Sequence, residues 1–357
     1  MSQERRGIAC AGNWIIDHIY ICDRWPREET LSNILEESRG TGGAPYNCLV
    51  DLARFGPPSP HGAPEGGPAK AGRAIPLEAI GLTGKDADGD YIRQDCRRHG
   101  IAASALSATD RAPTSYTLVV VNKPTGRRTF FHNRGANALF GPEHVPVAQI
   151  KGRIFHLGYL LLLDRFDEPD KEFGTVAARL LKDLQDAGIE TSVDVVSEDS
   201  DRFGQIVKPA LKHADYAILN EFESGRTTGR ELRPGERPDP RAIRAAAEDL
   251  LRLGVRKMVC IHMPEGGYAR TSGGHEFWQP SLVLPDGYIR GGAGAGDAFC
   301  SGVLLGLHEG WDLEKSLKLA VCAAAVCLSH PTCTDSMTTL AKTMESARKY
   351  PYRPSAF

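Results

Sequence analysis

Apolar segments with the periods of strands and of helices alternate regularly along the chain from residue 151 onward. The strand-like segments lie near residues 154–157, 190–195, 216–219 and 257–261, and the helix-like ones near 172–187, 209–213, 241–253, 297–307 and 313–328. Because a helix follows each strand, consecutive strands run parallel and the helices cover both faces of the sheet. The pattern predicts an α/β fold of three layers with a mostly parallel central sheet.

The first 150 residues add a second, smaller sheet to this prediction. Residues 7–16 have the small and β-branched character of a buried first strand, and Asp17 falls just past its end, where ligands bind in open α/β sheets. Segments at about 18–40 and 112–134 carry short alternating strands. We expect these strands to pair as one small sheet.

Charge and cysteine content narrow the class of protein. The 43 basic and 45 acidic side chains nearly cancel, so the sequence predicts small-molecule chemistry and neither a nucleic-acid partner nor a polybasic membrane patch. Its nine cysteines are scattered and form no Cys-x-x-Cys pair, as in a reduced cytoplasmic protein, and no apolar run is long enough to span a membrane. We expect residues 1–357 to form a single domain, with residues 56–76, dense in proline and glycine, as an irregular surface insertion.

A glycine-rich run that leads directly into an apolar helix indicates an anion-binding site. Gly292, Gly294 and Gly296 let the backbone turn tightly, and the helix presents its positive end to the same point. Asp297, in the first turn, would repel phosphate but suits a general base that takes a proton from a hydroxyl. The spacing fits neither a dinucleotide fingerprint nor a Walker motif. The run predicts phosphoryl transfer or, in the simpler interpretation, a turn that packs a helix on a strand.

A second glycine-rich loop, Gly40-Thr41-Gly42-Gly43, also runs into a helix that carries an amide, Asn47, in its first turns. Backbone N–H groups at the paired glycines can approach the oxygens of a hydroxylated ligand, and the amide can both donate and accept hydrogen bonds. Taken alone, such a turn is more often structural.

Several short motifs occur in the order in which they are found in the ribokinase-like (PfkB) carbohydrate kinases. They are Asp17 after the first strand, Gly42-Gly43-x-x-x-Asn47, Gly81-Leu82-Thr83-Gly84-Lys85-Asp86, Gly135-Ala136-Asn137, Asn220-x-x-Glu223 and Gly294-Ala295-Gly296-Asp297. Each is weak alone, but together they span nearly the whole chain, and in them the chain resembles this family. The resemblance implies the ribokinase-like fold, with the small sheet as a lid over the sugar.

The resemblance also implies a reaction and a set of site residues. ATP and Mg²⁺ would be the cofactors, with Asp297 as the base toward a sugar hydroxyl and the backbone of Gly294, Ala295 and Gly296 as the anion hole. The residues expected to bind the sugar are Asp17, Gly42, Gly43, Asn47 and Asn137. Those expected to bind the nucleotide are Asn220, Glu223, Gly266 and Gly267, with Glu223 holding Mg²⁺ through water. In many relatives the lid sheet also forms the contact of a homodimer, which we therefore expect here.

Three departures from the family pattern limit these expectations. Gly291-Gly292-Ala293 stands where relatives carry Asp-Thr-x, so side chains that assist with phosphate and a monovalent cation are missing, and the monovalent cation is doubtful. Residues 261–267 lack a glycine that relatives often have, so the nucleotide is expected to sit differently. Gly158-Tyr159 replaces a glutamate that ribokinase offers to the sugar, so ribose is not the expected substrate.

Further polar residues leave two interpretations open. Arg134, in the basic cluster at 127–134, would neutralise an acidic or phosphorylated sugar, or is a solvated charge on the lid edge. Asp194 would assist ligand or Mg²⁺ binding, or only end its strand. His156 is expected to be a packed core histidine, because the reaction needs no second proton carrier.

The function expected from the sequence is ATP-dependent phosphorylation of a hydroxyl of a small sugar or sugar acid. A nucleoside kinase of the same superfamily would need aromatic walls, for which Tyr116, Phe130 and Phe131 are available. A non-catalytic regulator that binds a sugar or nucleotide would account for the missing Asp-Thr pair.

Overall fold

The computed structural model describes residues 5–56, 74–355 and 357 of the chain. The insertion expected at residues 56–76 lies, apart from its ends, outside these residues. The strands are β1 Ile8–Gly12, β2 Ile15–Cys22, β3 Ile34–Gly42, β4 Leu77–Gly84, β5 Ala102–Thr109, β6 Ser115–Asn122, β7 Arg128–Asn133, β8 Ile154–Leu160, β9 Pro169–Asp170, β10 Gly174–Thr175, β11 Glu190–Val195, β12 Tyr216–Asn220, β13 Met258–Met263, β14 Gly266–Thr271 and β15 Glu276–Pro280. The α-helices are α1 Ala44–Phe55, α2 Ala87–Arg98, α3 Asp164–Asp167, α4 Val176–Asp186, α5 Phe203–Leu211, α6 Glu221–Thr228, α7 Pro240–Leu253, α8 Ala295–Glu309, α9 Leu313–Cys327 and α10 Leu340–Lys349.

The central sheet has nine strands in the order β15-β14-β13-β12-β11-β8-β1-β4-β5. The strands from β13 to β5 run parallel to one another, while β14 and β15 pair antiparallel at one edge. Side chains alternate along the strands, so that Ile8 and Cys10 pack under α1, α2, α8 and α9, and Ala9 and Ala11 pack under α4, α5 and α7. The predicted three-layer α/β architecture is confirmed.

The small sheet has four strands in the order β3-β2-β6-β7. Strand β2 pairs antiparallel with β3 and parallel with β6, and β6 pairs antiparallel with β7. The sheet begins at Ile15 and reaches Gly42, slightly beyond the segments that the sequence pattern indicates. It therefore stands where the chain leaves the carboxyl end of β1.

The predicted first strand at residues 7–16 is wrong in its extent. Strand β1 ends at Gly12, whose φ of 134° and close approach to the Gly158 carbonyl leave no room for a side chain. Asn13 then turns the chain: its Oδ1 accepts a hydrogen bond from the Tyr159 N–H at 2.7 Å, and its Nδ2 donates to the Leu162 carbonyl at 3.0 Å. As a result Asp17 lies within β2 of the small sheet, and not just past a strand of the central one.

The predicted helix at residues 209–213 is also wrong in its extent. Helix α5 begins at Phe203, and its buried stripe also includes Ile206, Val207 and Ala210. Proline usually marks a helix start, but Pro209 lies inside α5 in its last turn, where its missing N–H removes one hydrogen bond of the helix.

All nine cysteines are buried and free of disulfide bonds, as expected for reduced core residues. Among the helices of the described residues, none has the length and apolar character needed to cross a bilayer.

Candidate active site

Asp297 occupies the first turn of α8, where it is buried and held by side chains from two other elements. The Tyr159 hydroxyl, at the end of β8, donates a hydrogen bond to its Oδ1 at 2.7 Å. The Asn47 Nδ2, on α1, donates to its Oδ2 at 2.7 Å. The carboxylate is therefore fixed in one orientation by two donors that lie far apart in the chain.

Opposing effects set the proton affinity of Asp297. Burial raises the pKa of this carboxyl, and the hydrogen bonds from Tyr159 and Asn47 lower it, with the pKa remaining above its ordinary value. A carboxylate with a raised pKa is a better proton acceptor than a solvated one.

The backbone beside Asp297 forms an anion-binding site. Gly294 is the N-cap residue of α8, and no side chain caps the helix. The first N–H groups of a helix have no partners within it, and they carry the positive end of the helix dipole. The N–H groups of Ala295, Gly296 and Asp297 are thus available to negative oxygens next to the carboxylate.

The predicted sugar-binding residues Asp17, Gly42, Gly43 and Asn47 come together on the lid side of Asp297. Gly43 is the N-cap residue of α1, which places Asn47 one turn into the helix. A Cβ on Gly42 would stand 2.6 Å from the Asp17 Oδ1, so only glycine leaves room for that carboxylate. The Asn47 Oδ1 is buried and has no hydrogen-bond partner among the described residues, which leaves it for a ligand hydroxyl.

Asp17 is itself an unusual carboxyl group. Burial raises the pKa of Asp17 to about 7. The repulsion of Asp297 also raises this pKa, whereas the hydrogen bonds from Thr117 and Cys333 lower it. Near neutral pH this residue can therefore both donate and accept hydrogen bonds to hydroxyl groups.

Asn137, also predicted to bind the sugar, has a different position. Its Oδ1 accepts a hydrogen bond from the Trp14 N–H, and its Nδ2 donates to the Trp14 carbonyl, both at 3.2 Å. Because both ends of this buried amide bond to the backbone between β1 and β2, Asn137 supports the lid connection, and sugar binding by this residue stays a prediction.

A cavity of about 490 Å³ lies on the other side of the α8 N-terminus. Its walls include Asn220, Gly266, Ala295 and Gly296, together with apolar side chains such as Ile289 and Val321. An apolar lining next to the first N–H groups of α8 suits an aromatic group joined to phosphates.

Gly267, predicted to bind the nucleotide, does not line this cavity. A Cβ at this position would lie 2.5 Å from the Phe299 ring, so Gly267 lets β14 pack closely against α8. A larger cavity of about 550 Å³, formed by the start of α5, by α6 and by residues 229–233 after it, includes neither Asp297 nor residues 291–296.

Asn220 and Glu223 form the capping box of α6. The Asn220 Oδ1 accepts from the Glu223 N–H at 2.8 Å, and the Glu223 Oε2 accepts from the Asn220 N–H at 2.9 Å. The Glu223 Oε1 accepts from the Ser197 hydroxyl at 2.7 Å. Both carboxylate oxygens are thus engaged by protein donors, which favours a contact to Mg²⁺ through water over direct ligation.

Asp194 lies close enough to Glu223 and Asp297 for their charges to repel. Burial and that repulsion hold the pKa of Asp194 well above its ordinary range, and burial raises the pKa of Glu223 to about 7. Oxygen ligands and an excess of buried negative charge fit Mg²⁺ at this place.

The segment before the anion-binding site fits a monovalent cation poorly. Gly291, Gly292 and Ala293 have no side-chain oxygen, and the guanidinium of Arg128 on the small sheet lies beside Gly291. Arg134, for which an acidic sugar and a solvated position on the lid edge were both open, pairs with Asp164 in an exposed ion pair, as in the second interpretation.

His156 belongs to a buried cluster beneath Asp297. Its Nδ1 lies 3.1 Å from the Ser192 hydroxyl, and its Nε2 lies 3.8 Å from the Cys300 thiol. The Cys48 Sγ completes the cluster and lies within 4.8 Å of a ring nitrogen of His156 and of the Cys300 Sγ. The Cys48 thiol donates a hydrogen bond to the backbone carbonyl of Asp297 at 3.5 Å. Burial lowers the pKa of His156 to about 4, so the ring is a neutral core side chain, as expected.

Two functional candidates, Tyr159 and Arg128, are placed by the structure and not by sequence reasoning. The sequence signal for Tyr159 is the departure from the family pattern at Gly158-Tyr159, which the sequence analysis interprets only as the loss of a glutamate. The sequence signal for Arg128 is the basic cluster at residues 127–134, in which the sequence analysis considers Arg134 instead.

The raised pKa of Asp17 predicts a difference in stability between wild type and Asp17→Asn that depends on pH. The folded state keeps its Asp17 proton up to about pH 7, whereas an unfolded aspartate loses it near pH 4, so wild-type stability falls as pH rises between these values. Asp17→Asn removes this loss. We expect similar melting temperatures at pH 5 and a variant more stable by about 3 °C at pH 8. The exposed substitution Asp110→Asn is the control, and a gap that does not widen with pH contradicts the account.

Named relatives of this chain are kinases. It is 26% identical to the ribokinase of Arabidopsis thaliana over 255 residues, which cover 71% of this chain and 62% of that protein. It is 24% identical to the ATP-dependent ribose-1-phosphate kinase of Halopiger xanaduensis over 318 residues, 88% of each protein. It is also 24% identical to a 5-dehydro-2-deoxygluconokinase of Clostridium perfringens over 330 residues, 88% of this chain and 87% of that one.

Solved structures with the same fold cover almost the whole chain. Arabidopsis thaliana ribokinase, complexed with ribose and ATP, superposes with a TM-score of 0.74 at 20% identity, over 96% of this chain and 98% of that one. The nucleoside kinase of Methanocaldococcus jannaschii superposes with a TM-score of 0.69 at 17% identity, with the same coverage of 96% and 98%. The fold is therefore ribokinase-like.

The family model for pfkB family carbohydrate kinases matches residues 5–340. This match extends from before β1 to the start of α10, and it includes every residue of the site described above. The chain belongs to the pfkB family of carbohydrate kinases.

Proposed function

We propose that this protein transfers the γ-phosphoryl group of ATP to a hydroxyl of a small sugar or sugar acid, with Asp297 as the general base. One observation carries the proposal: a buried carboxylate, fixed by Tyr159 and Asn47, stands beside the uncapped N–H groups at the start of α8. A proton acceptor and an anion-binding site in contact are what phosphoryl transfer to a hydroxyl requires.

The proposed reaction proceeds by in-line transfer. Asp297 accepts the proton of the sugar hydroxyl while that oxygen forms a bond to the γ-phosphorus, and the bond from the γ-phosphorus to the β–γ bridging oxygen breaks to release ADP. The N–H groups at 295–297 stabilise the negative charge that develops on the γ-phosphoryl oxygens.

The two substrates lie on opposite sides of the α8 N-terminus in this proposal. The cavity lined by Asn220 and Gly266 takes the nucleotide, and Asp17 and Asn47 bind hydroxyl groups of the sugar. Mg²⁺, bound with ATP and held through water by Asp194 and Glu223, would neutralise phosphate charge. The small sheet covers the acceptor side, so that water does not compete as the acceptor.

The small sheet favours a sugar over a nucleoside as the acceptor. Residues Asp17, Thr117 and His132 pair across β2, β6 and β7, so their side chains share the face toward Asp297. Tyr116 points to the opposite face and packs edge-on against His18. Phe131 also points away and stacks on Trp25, so Phe130 alone of the three candidate aromatic walls remains on the site face.

The proposal predicts that Asp297 governs turnover. ADP release from Mg-ATP is measured with pentoses, hexoses, sugar acids and nucleosides. We expect turnover with a sugar or sugar acid and a loss of about 10³-fold in Asp297→Asn, because the base is removed while the fold is kept.

The matched control is Asp186→Asn, an exposed change on α4, for which wild-type rates are expected. Unchanged turnover in Asp297→Asn would refute Asp297 as the base. If no compound gives ADP while ATP or a sugar still raises the melting temperature, the chain is a binding regulator.

We also propose that a second copy of this chain covers the outer part of the small sheet. Large apolar side chains are exposed there: Trp25, Leu31, Ile34, Leu35, Phe130 and Phe131. Of these, Phe131 stacks on Trp25 on the face turned away from Asp297, and this pair is exposed apolar surface of the kind that usually lies in an interface.

Sedimentation velocity tests the dimer. We expect wild type to sediment at twice the 38.8 kDa chain mass and Phe131→Asp to dissociate, since the charge would be buried against the partner copy. Val283→Asp, at an exposed apolar residue outside the small sheet, is the control. A monomeric wild type would refute the dimer.

A further inference from the structure

We propose that the Arg128 guanidinium binds the reacting phosphoryl group from the lid side and takes the place of a monovalent cation beside the anion hole. The ligand is a phosphoryl oxygen of a nucleoside triphosphate. This inference rests on the proposed function, since it adds a residue to the same site.

The strand register places Arg128 on the face of the small sheet that covers the acceptor. Arg128 pairs with Val121, and Val121 pairs with Ile21. Ile21 is four residues from Asp17 on β2, so the side chains of Asp17 and Arg128 project from the same face.

The side chain then crosses from the small sheet to the segment that precedes the anion-binding site. The half-buried guanidinium donates through Nη2 to the Arg290 carbonyl at 3.3 Å. The same nitrogen lies 2.7 Å from the point where a Cβ on Gly291 would stand. The His330 carbonyl oxygen and the Pro331 Cα are also close to that point, so glycine at position 291 lets this backbone segment and the guanidinium lie against residue 291 together.

Within the described part of the chain, no carboxylate neutralises the charge of Arg128. Among residues 5–56, 74–355 and 357, its side chain has the Arg290 carbonyl as its hydrogen-bond partner and forms no ion pair with a carboxylate. A guanidinium has five N–H donors, so most of them remain for a ligand. Its charge also lowers the pKa of Asp17 and of Cys327, which places it near the lid side of the site.

The lack of side-chain oxygens at residues 291–293 and the position of Arg128 beside Gly291 have one explanation. Gly291, Gly292 and Ala293 offer no side-chain oxygen to a cation, while the guanidinium of Arg128, which has no carboxylate partner among the described residues, already lies beside Gly291. Arginine matches phosphoryl oxygens in geometry and stays charged at every physiological pH. The site therefore has a fixed positive charge and no need of K⁺.

The experiment compares wild type, Arg128→Met, Arg128→Ala and the control Arg127→Met, which removes a neighbouring exposed arginine. Turnover of Mg-ATP is measured in KCl and in tetramethylammonium chloride at equal ionic strength. We expect wild-type rates to agree within about 2-fold in the two salts, and Arg128→Met to lose about 10²-fold in kcat. Methylguanidinium is expected to restore part of the kcat of Arg128→Ala, an effect that a purely structural role would not give.

Activation of wild type by K⁺ of about tenfold or more, or an Arg128→Met variant that behaves as Arg127→Met, overturns the inference while the kinase function stands. If wild type shows no turnover with any acceptor, the proposed function fails. Binding of the Mg complex of a non-hydrolysable ATP analogue then decides the inference. About tenfold weaker binding by Arg128→Met than by Arg127→Met supports it, and equal binding overturns it.

Discussion

The carboxylate of Asp297 is buried at the positive end of α8, and most of the site depends on what that burial requires. An ionised carboxyl removed from water needs hydrogen-bond donors, and Tyr159 and Asn47 supply them from β8 and α1. These contacts fix where α1, the end of β8 and the start of α8 meet. The same contacts orient the group that we propose as the base, so structure and chemistry share one set of hydrogen bonds.

Acidic side chains are concentrated around this point. Asp51, Asp194 and Glu223 are buried with Asp297, and Asp17 lies across the site from them. Their mutual repulsion and desolvation raise the pKa values of all of them, which destabilises the protein without ligand. A ligand that brings positive charge or hydroxyl donors would relieve this strain, which is consistent with the Mg-ATP and sugar that we propose as substrates.

The short motifs of the sequence predicted much of this site because they depend on local backbone form. The glycine run before Asp297 allows a tight turn into a helix, and the paired glycines allow close approaches, of Gly42 to the Asp17 carboxylate and of Gly43 to the Asn13 carbonyl. The alternation of strands and helices likewise predicted the layers of the central sheet, since burial on both faces leaves continuous apolar strands.

Other features could not be predicted because they depend on contacts between distant segments. The break after Gly12 is made by Asn13 bonding to residues 159 and 162, so residues 7–16 look like one strand in isolation. Asn137 resembled a sugar ligand, yet its amide pairs with the Trp14 backbone. Arg128 and Arg134 are equivalent in sequence character, but Arg128 begins β7 and reaches Gly291, whereas Arg134 follows the end of β7 and meets Asp164.

The most direct test of the central claim is the pH dependence of kcat in Tyr159→Phe, with Tyr116→Phe as the control. The Tyr159 hydroxyl lowers the pKa of Asp297, so its removal raises that pKa, and a base with a higher pKa becomes protonated at a higher pH. The account predicts that the acidic limb of the kcat profile moves to higher pH by about one unit, the value of one hydrogen bond to a charged group. An acidic limb that stays at the wild-type position, or moves to lower pH, would contradict Asp297 as the proton acceptor.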